Sequence, residues 1–439
     1  MCAAIEWNSQ LIKRYGHAAL AGGSYPENTQ FQRGISALDL LRALRSSRLA
    51  QRRLSIAVQL PVAGDLGVYL EHLAREIDML GCHLGATQRV EQLHLAGGLP
   101  TAVELNRLME HLQRRCNFQP YAGGDNSIDI DLPNSSWATM GLLRQLGFNH
   151  VNIGVPDINP ANGETQVDFQ SPRQTRSLID AARALDFRSV NIDLGYGRAW
   201  QTTSSFARKV AAIIELQPSR VRIFDYAHPP RRYSALQRLV TSGFAAQADK
   251  WAMRQQAVEQ LLTAGYGYIG LGQFALPDDE LAVAQENGQL HYNCQGFSRH
   301  GPCDHLGLGL AASSQIDDLH VHNVSDLQRY QQQLAIGQLA LSRGLRCNAD
   351  EQLLRAVSEQ LLCNFKLDFA ALEARFGVAM RVYFSDAWPR LEQMDRDGLI
   401  ILTPDSIHVP AAGRLLVGAV CKALEHGCEA LRERSLQHS

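Results

Sequence analysis

The chain lacks cysteine over a long stretch near its start, because none of its 9 cysteines lies between Cys2 and Cys82. The remaining cysteines are scattered, and no Cys-x-x-Cys or similar spacing occurs among them. An odd number of scattered cysteines excludes a complete disulfide framework and is typical of reduced, buried thiols. We therefore expect no disulfide scaffold and no local metal-binding cysteine motif.

The sequence also lacks a large excess of either charge sign and a long apolar run. The chain has 42 Lys and Arg against 44 Asp and Glu, for a formal net charge of −2. Such a balance provides no general attraction to nucleic acid or to an anionic membrane. No stretch reaches the roughly 18 apolar residues of a membrane span, and the first residues reach Glu6 without an apolar signal core. We expect a cytoplasmic protein that neither binds nucleic acid nor spans a membrane.

What the chain does contain is a repeated alternation of short apolar runs and amphipathic segments. With 439 residues, of which 45% are hydrophobic, it is long enough for more than one domain. The runs recur roughly every 25–40 residues, which is typical of strand–helix units around a parallel sheet. Polar and glycine-containing turns follow several runs, so we expect a site at the carboxyl ends of the strands. The predicted strands cover residues 54–60, 90–96, 127–132, 150–155, 189–194, 221–226 and 266–270.

The spacing of the apolar runs and amphipathic segments predicts three regions along the chain. A helical extension covers residues 1–50, a partial (β/α) barrel covers 51–324, and a helical domain covers 325–439. A doubly wound sheet has the same periodicity and remains an alternative for the middle region. In the last region, two short runs at 400–402 and 407–409 precede a helix at 412–425, an order that resembles a winged-helix module. Because the basic excess of a DNA-binding module is absent, a packing or lid role is favoured there.

Several specific strings carry a resemblance to one family. They read Asn-Ile-Asp-Leu-Gly-Tyr-Gly at 191–197, Phe-Asp-Tyr-Ala-His-Pro at 224–229, Phe-Ala-Leu-Pro-Asp-Asp-Glu-Leu-Ala-Val-Ala-Gln at 274–285, Asn-Cys-Gln-Gly-Phe at 293–297 and Cys-Asn-Phe-Lys-Leu-Asp-Phe at 363–369. Over essentially its whole length the chain resembles the oxygen-independent coproporphyrinogen III oxidases, radical S-adenosylmethionine (SAM) enzymes of haem biosynthesis. The resemblance implies an α/β fold, a partial (β/α) TIM-like barrel of the radical SAM type with a C-terminal helical domain. It also implies a [4Fe-4S] cluster, SAM, and decarboxylation of two propionate chains.

The departures from the family lie where it binds its cofactors. In the family three cysteines follow the first strand, whereas here residues 59–62 lead into Asp65 without one. Thiolates hold such clusters, so we expect no [4Fe-4S] cluster unless distant cysteines converge in space. At three positions where the family's residues contact the cofactor, this chain has Ala57, Leu99 and Pro156 instead. We therefore expect SAM binding to be doubtful. The positions that match the family's cofactor contacts are Gly97, Gly98, Asp129 (for glutamate), Asp193 and Ala227.

A second set of residues matches the family's substrate cavity. These residues are Tyr226, His228, Gln295, Phe297 and Arg299. Their retention favours a haem or porphyrin ligand, because the family's cavity takes a large, flat, acidic molecule. The alternative is that the polar floor of the barrel needs their hydrogen bonds. No residue is predicted to be catalytic.

A cluster of histidines and one cysteine is a further candidate for haem or metal binding. It consists of His300, Cys303, His305, His320 and His322. His320 and His322 would share one face of a strand, and both residue types, histidine and cysteine, are common ligands of transition metals. Ordinary surface histidines are the competing interpretation.

Together these observations predict a catalytically inactive homologue that binds haem or a porphyrin and acts in its delivery or regulation. One alternative is a SAM-dependent enzyme of porphyrin biosynthesis with coproporphyrinogen oxidase-type activity. Another is an interaction partner of an active oxidase. Titration with tetrapyrroles, an activity assay and co-purification of a protein partner in haem biosynthesis or delivery would separate the three.

Overall fold

A computed structural model describes residues 5–21, 30–32, 34–61, 64–118, 123–155, 172–228, 243–293 and 295–437. Several positions of the segments discussed above, namely Val62, Pro156, Pro229 and Cys294, lie outside the described residues. Strands and helices alternate from the first strand onward. The strands are β1 (Leu54–Gln59), β2 (Arg89–Ala96), β3 (Asn117–Phe118), β4 (Asp125–Ile130), β5 (His150–Gly154), β6 (Ser189–Tyr196), β7 (Arg220–Asp225), β8 (Gly267–Gly270), β9 (Gln273–Ala275), β10 (His291–Asn293), β11 (Gly296–Ser298), β12 (Asp304–Gly309), β13 (Ser313–Ile316), β14 (Leu319–Asn323), β15 (Leu341–Arg346), β16 (Lys366–Asp368), β17 (Ile401–Leu402) and β18 (Ser406–His408).

The helices pack outside this sheet and at its two ends. Side-chain caps begin many of them; for example, Asp65 accepts a hydrogen bond from the backbone of Val68, as the sequence predicts. The helices are α1 (Ser9–Ala21), α2 (Ala37–Leu49), α3 (Leu66–Gly81), α4 (Ala102–Arg115), α5 (Trp137–Gln145), α6 (Pro172–Ala184), α7 (Thr203–Glu215), α8 (Gln247–Thr263), α9 (Glu280–Glu286), α10 (Leu327–Ala335), α11 (Ala349–Asn364), α12 (Phe369–Phe376), α13 (Met380–Tyr383), α14 (Trp388–Arg396) and α15 (Val417–Gln437).

One large sheet of 13 strands forms the body of the molecule, in the order β15-β14-β13-β12-β1-β2-β4-β5-β6-β7-β9-β8, with β3 beside β2. Neighbours from β12 to β7 run parallel. Among the described residues the two end strands, β15 and β8, do not pair, so the sheet stays open. The predicted α/β fold, a partial barrel built on a largely parallel sheet, is confirmed, and within the described residues the barrel is not closed.

The predicted strands correspond to β1, β2, β4, β5, β6, β7 and β8 within about two residues at each end. The last of them, β8, is separated from β7 by β9, which pairs antiparallel with both, so β8 runs in the same direction as β7 at the sheet edge. Strands β3 and β9 to β16 were not predicted; among them β12 pairs parallel with β1, and β13 to β15 form an antiparallel extension beyond β12. Their short runs carry histidine, serine and glycine, which conceals the period-two pattern.

A small second sheet with the order β16-β18-β17 lies in the C-terminal part, among helices α11 to α15. The predicted pair at 400–402 and 407–409 is thus present as β17 and β18. The domain boundaries at residues 50 and 324 stay a prediction. Among the described helices, none is long and apolar enough to cross a bilayer.

Candidate functional site

The parallel strands place the predicted cofactor-contact residues at one edge of the sheet. Gly97 and Gly98 follow β2, Asp129 lies near the end of β4, Asp193 lies in the last half of β6, and Ala227 follows β7. Because all four strands run in the same direction, these positions meet where the strands end. We call this the carboxyl-terminal edge, the usual place of a ligand site in α/β folds.

The two carboxylates at this edge already have protein partners. Asp129 Oδ1 accepts a hydrogen bond of 2.9 Å from Asn152 Nδ2 and lies 3.7 Å from His94 Nε2. Asp193 is only 3% exposed, and its Oδ1 accepts a hydrogen bond of 2.9 Å from Asn191 Nδ2. Asp193 is therefore built into the barrel wall, whereas Asp129 keeps a partly exposed side chain.

The turn after β2 is explained by close backbone packing. Gly97 has a φ of +106°, and a Cβ there would lie 2.0 Å from the carbonyl oxygen of Leu60. The Leu60 amide in turn donates to Ala96 O at 2.8 Å. Only glycine allows both the conformation and this approach, so the turn has a structural requirement whether or not it binds a ligand.

Aromatic rings and guanidinium groups gather at the ends of β6 and β7. The Arg198 guanidinium lies 3.9 Å from the ring centroid of Tyr226, and the Phe224 ring lies 5.3 Å from the same ring. Gly195 leaves room for Tyr226, because a Cβ on it would come within 2.3 Å of that ring. Arg222 projects from β7 and donates to Gln273 Oε1 at 3.0 Å.

The β10–β11 hairpin inserts its turn into the barrel. Gln295 donates to Ile56 O at 3.0 Å and accepts from Ser55 Oγ at 3.2 Å. Phe297 packs 5.0 Å from the ring of Tyr292. Hydrogen bonds to β1 thus hold Gln295, which supports the alternative that hydrogen bonding retains this residue, whereas Phe297 packs within its own hairpin.

The remaining predicted substrate residues lie apart from one another. His228 is exposed beyond β7, with its Nδ1 3.8 Å from Asp225 Oδ2. Arg299 lies at the opposite end of the strands, where its Nη2 donates to Asp125 Oδ1 at 2.8 Å. Asp125 begins β4, and a strand of this length separates the two edges by about 16 Å. Arg299 therefore lies apart from Tyr226 and His228, which follow β7 at the carboxyl-terminal edge.

At this amino-terminal edge, Asp125 and His150, which the sequence analysis did not identify, lie beside His300 and Arg299, which it did. His300 Nε2 lies 3.0 Å from Asp125 Oδ2, and His150 Nε2 lies 3.4 Å from Oδ1. Burial opposes ionisation of Asp125, but both imidazoles and the guanidinium of Arg299 outweigh it and hold its pKa below the usual range. One sequence signal could have identified this group, because Asp125 and His150 are the first residues of two neighbouring parallel strands.

The histidine and cysteine candidates do not form one ligand group. His305 is buried and its Nδ1 lies 3.4 Å from Ser55 Oγ, while burial and nearby His94 lower its pKa to about 4. Burial raises the pKa of the Cys303 thiol to about 12, so it carries no thiolate at neutral pH. His320 and His322 share a strand face, as predicted, and both pack edge-on against Phe31.

The segment between β1 and α3 is short and offers no thiol. Strand β1 ends at Gln59, Asp65 caps α3 from Leu66, and the sequence has no cysteine from residue 3 to residue 81. The residues present here do not fit a cluster ligated from this segment. What this edge offers a ligand is the set of backbone groups, carboxylates, aromatic rings and guanidinium groups described above.

Comparison with known proteins identifies close relatives over the whole chain. It is 44% identical over 441 residues to the oxygen-independent coproporphyrinogen III oxidase of Pseudomonas aeruginosa, covering 96% of each chain. It is 33% identical over 441 residues to the enzyme of the same name from Escherichia coli, covering 96% of this chain and 95% of that one. Residues 347–416 match the HemN C-terminal domain.

A solved structure shares the fold. Coproporphyrinogen III oxidase (HemN) from Escherichia coli, a radical SAM enzyme, superimposes with a TM-score of 0.84 at 32% identity, covering 96% of this chain and 99% of that one. This relationship contradicts the expectation that this chain holds no [4Fe-4S] cluster and that its SAM binding is doubtful, because the relative with the same fold is a radical SAM enzyme. That expectation is therefore wrong, although the segment between β1 and α3 contains no cysteine.

Proposed function

Since this chain belongs to the oxygen-independent coproporphyrinogen III oxidase family, we propose that it binds a coproporphyrinogen-type tetrapyrrole at the carboxyl-terminal edge and acts on it as an oxidase in porphyrin biosynthesis. The observation that carries this proposal is the group formed by Arg198 after β6, by Arg222 and Phe224 on β7, and by Tyr226 after β7. Aromatic faces suit a flat ring system, and guanidinium groups pair with carboxylates.

The roles within this group follow from its geometry. The Arg198 side chain stacks on Tyr226 at 3.9 Å, so the ring and the cation present one continuous surface. The Arg222 Nε donates to Gln273 Oε1, and a Cβ on Gly296 would lie 3.4 Å from Arg222 Nη2, so this guanidinium group lies between β9 and the β10–β11 hairpin. The propionate carboxylates of the ligand would meet these cations, while the macrocycle packs on the aromatic rings.

Binding of coproporphyrin III tests the anion-recognition part of the proposal. We expect Arg222→Ala to weaken binding about 10-fold, because one charge-assisted pair to a propionate is lost. The tetramethyl ester of the same porphyrin should bind the unaltered protein about 10-fold more weakly for the same reason. Fluorescence quenching on titration measures both.

The matched control is Arg107→Ala, which removes an exposed guanidinium from α4. It should leave the affinity unchanged. Equal affinity of the acid and the ester, or equal losses in both arginine variants, would contradict recognition of propionates at this edge.

A second candidate function is binding of the tetrapyrrole without turnover, in haem delivery or regulation. The observation that favours it is the cysteine-free segment between β1 and α3, which is where the resemblance places the cluster ligands. Anaerobic incubation of the iron- and sulfide-reconstituted protein with coproporphyrinogen III, SAM and a reductant separates the two. Formation of protoporphyrinogen supports the oxidase; tight binding without product supports the binder. Co-purification of an oxidase would support the interaction-partner alternative.

A further inference from the structure

One group of side chains outside the carboxyl-terminal edge has the composition of a metal site. Asp125, His150 and Glu280 each offer a ligand atom, and these atoms lie within 4.8 Å of one another; the described residues contain no other such group. Asp125 begins β4, His150 begins β5 and Glu280 begins α9. The fold therefore brings together three segments that are distant in sequence at the amino-terminal edge of the sheet.

The spacing of the ligand atoms suits a tetrahedral ion. His150 Nε2 lies 3.4 Å from Asp125 Oδ1 and 3.8 Å from Glu280 Oε2. With metal–ligand bonds of about 2.1 Å, the corners of a tetrahedron are about 3.4 Å apart. Small movements of these side chains would therefore complete the coordination.

Two of these atoms are buried without a hydrogen-bond partner. His150 is only 5% exposed, and both its Nε2 and Glu280 Oε2 are buried polar atoms that make no hydrogen bond. The other ring nitrogen of His150, Nδ1, lies 2.6 Å from Ser189 Oγ. If Nδ1–H donates to this hydroxyl, the Nε2 lone pair faces the two carboxylates, an arrangement that a cation between them would stabilise.

His300 adds a second imidazole beside the group. Its Nε2, also buried and without a hydrogen bond, lies 3.0 Å from Asp125 Oδ2. Its Nδ1 lies 3.5 Å from Glu91 Oε2. A carboxylate behind a ligating imidazole is the usual outer-shell support of a histidine in a zinc site.

The neighbouring charges leave room for a cation. Arg299 and Arg188 contact Asp125 at 2.8 Å and 3.2 Å, and they contact Glu280 at 3.5 Å and 3.6 Å. The net charge of these groups is −1, because three carboxylates face two guanidinium groups. The carboxylates belong to Asp125, Glu280 and Glu91. The ion pairs hold the carboxylates in place, and the histidines supply the ligands that select a transition metal.

We propose that Asp125, His150 and Glu280 bind a divalent transition-metal ion of the zinc class, with His300 as the fourth ligand. The ion would link the starts of β4 and β5 to α9 and to the segment after β11. This site is separate from the proposed tetrapyrrole site, because it lies at the other end of the strands.

Zinc binding by the metal-depleted full chain tests the proposal. We expect about one Zn²⁺ per chain, a rise in the unfolding temperature with added Zn²⁺, and an affinity about 100-fold weaker in His150→Gln and Glu280→Gln. Ser189→Ala should weaken binding about 10-fold, because it removes the group that orients the imidazole. Calorimetric titration and thermal unfolding measure these effects without any activity assay.

The matched control is His111→Ala, because His111 also lies beside a carboxylate, 3.2 Å from Asp78, but on the surface of α4. It should bind Zn²⁺ as the unaltered chain does. If His150→Gln does not fold, Ser189→Ala and Glu280→Gln decide. Absence of Zn²⁺ binding by the unaltered chain, or equal affinity in all variants, would show that the group is an ion-pair cluster only.

Discussion

Replacing Glu76 with alanine lowers the free energy of unfolding by about 4–6 kcal/mol, the largest effect we expect from a single change in this chain. Glu76 lies on α3 and is 1% exposed. Its carboxylate accepts three hydrogen bonds, each of 2.7 Å, from the Gly309 amide, the Asn323 side chain and the Tyr330 hydroxyl. Alanine leaves three buried donors without an acceptor, at about 1–3 kcal/mol each.

Chemical denaturation at neutral pH measures this loss. The matched control is Glu71→Ala, which removes an exposed glutamate from the same helix and should change stability by no more than about 0.5 kcal/mol. A loss below about 1 kcal/mol at Glu76 would contradict the predicted hydrogen-bond network. The network matters to the fold because it links α3 to β12, β14 and α10, and so attaches the antiparallel extension to the parallel sheet.

Glu76 also makes stability depend on pH. Burial raises the pKa of Glu76 from 4.5 to about 7, although its hydrogen-bond donors act against this shift. The folded chain therefore binds this proton more tightly than the unfolded chain does. The resulting stabilisation is complete below pH 4.5 and is lost as the pH rises through 7.

Comparison with Glu76→Gln isolates this contribution, since glutamine does not titrate. The stability of the unaltered chain relative to the glutamine variant should fall by about 3 kcal/mol between pH 4 and pH 8. A constant difference between the two proteins over that range would show that the carboxyl group does not change its protonation state.

Replacing Gly97 with alanine lowers the free energy of unfolding by about 3 kcal/mol or more. The φ of +106° and the distance of 2.0 Å from a Cβ to Leu60 O add backbone strain to a steric clash. Thermal or chemical unfolding of the chain without any ligand measures the effect. The same change at Gly141, a glycine of α5 with no atom within 4 Å of its Cβ position, should instead stabilise the chain by about 0.5–1 kcal/mol.

The outcome separates two roles of the Gly97-Gly98 turn. If the glycine is retained only so that a ligand can approach the backbone, the alanine variant unfolds like the unaltered chain and loses only ligand binding. If the turn is required by the approach of Leu60, stability falls in the absence of any ligand. The geometry supports the second result.

The parts of the fold that could be predicted are those with a regular local pattern. Strands β1, β2, β4 to β7 and the apolar stripe of α3 are encoded by runs of neighbouring residues, so they can be found along the chain. Strands β13 to β15 were missed because their polar and small residues owe their conformation to pairing with β12, a contact that only the folded chain makes. The cofactor expectation drawn from one missing motif was contradicted by the fold and identity that the rest of the chain shares with its relatives.

The sequence by itself determined the family, the alternation of strands and helices, and the gathering of Gly97, Gly98, Asp129, Asp193 and Ala227 at one edge, because parallel strands end together. Only the tertiary structure shows which of these side chains are hydrogen-bonded within the protein, as Asp193 is to Asn191. It alone placed Arg299 at the opposite edge, and it alone assembled Asp125, His150 and Glu280. The physical reason is that such groups are joined through space by sheet register, which no local sequence pattern records.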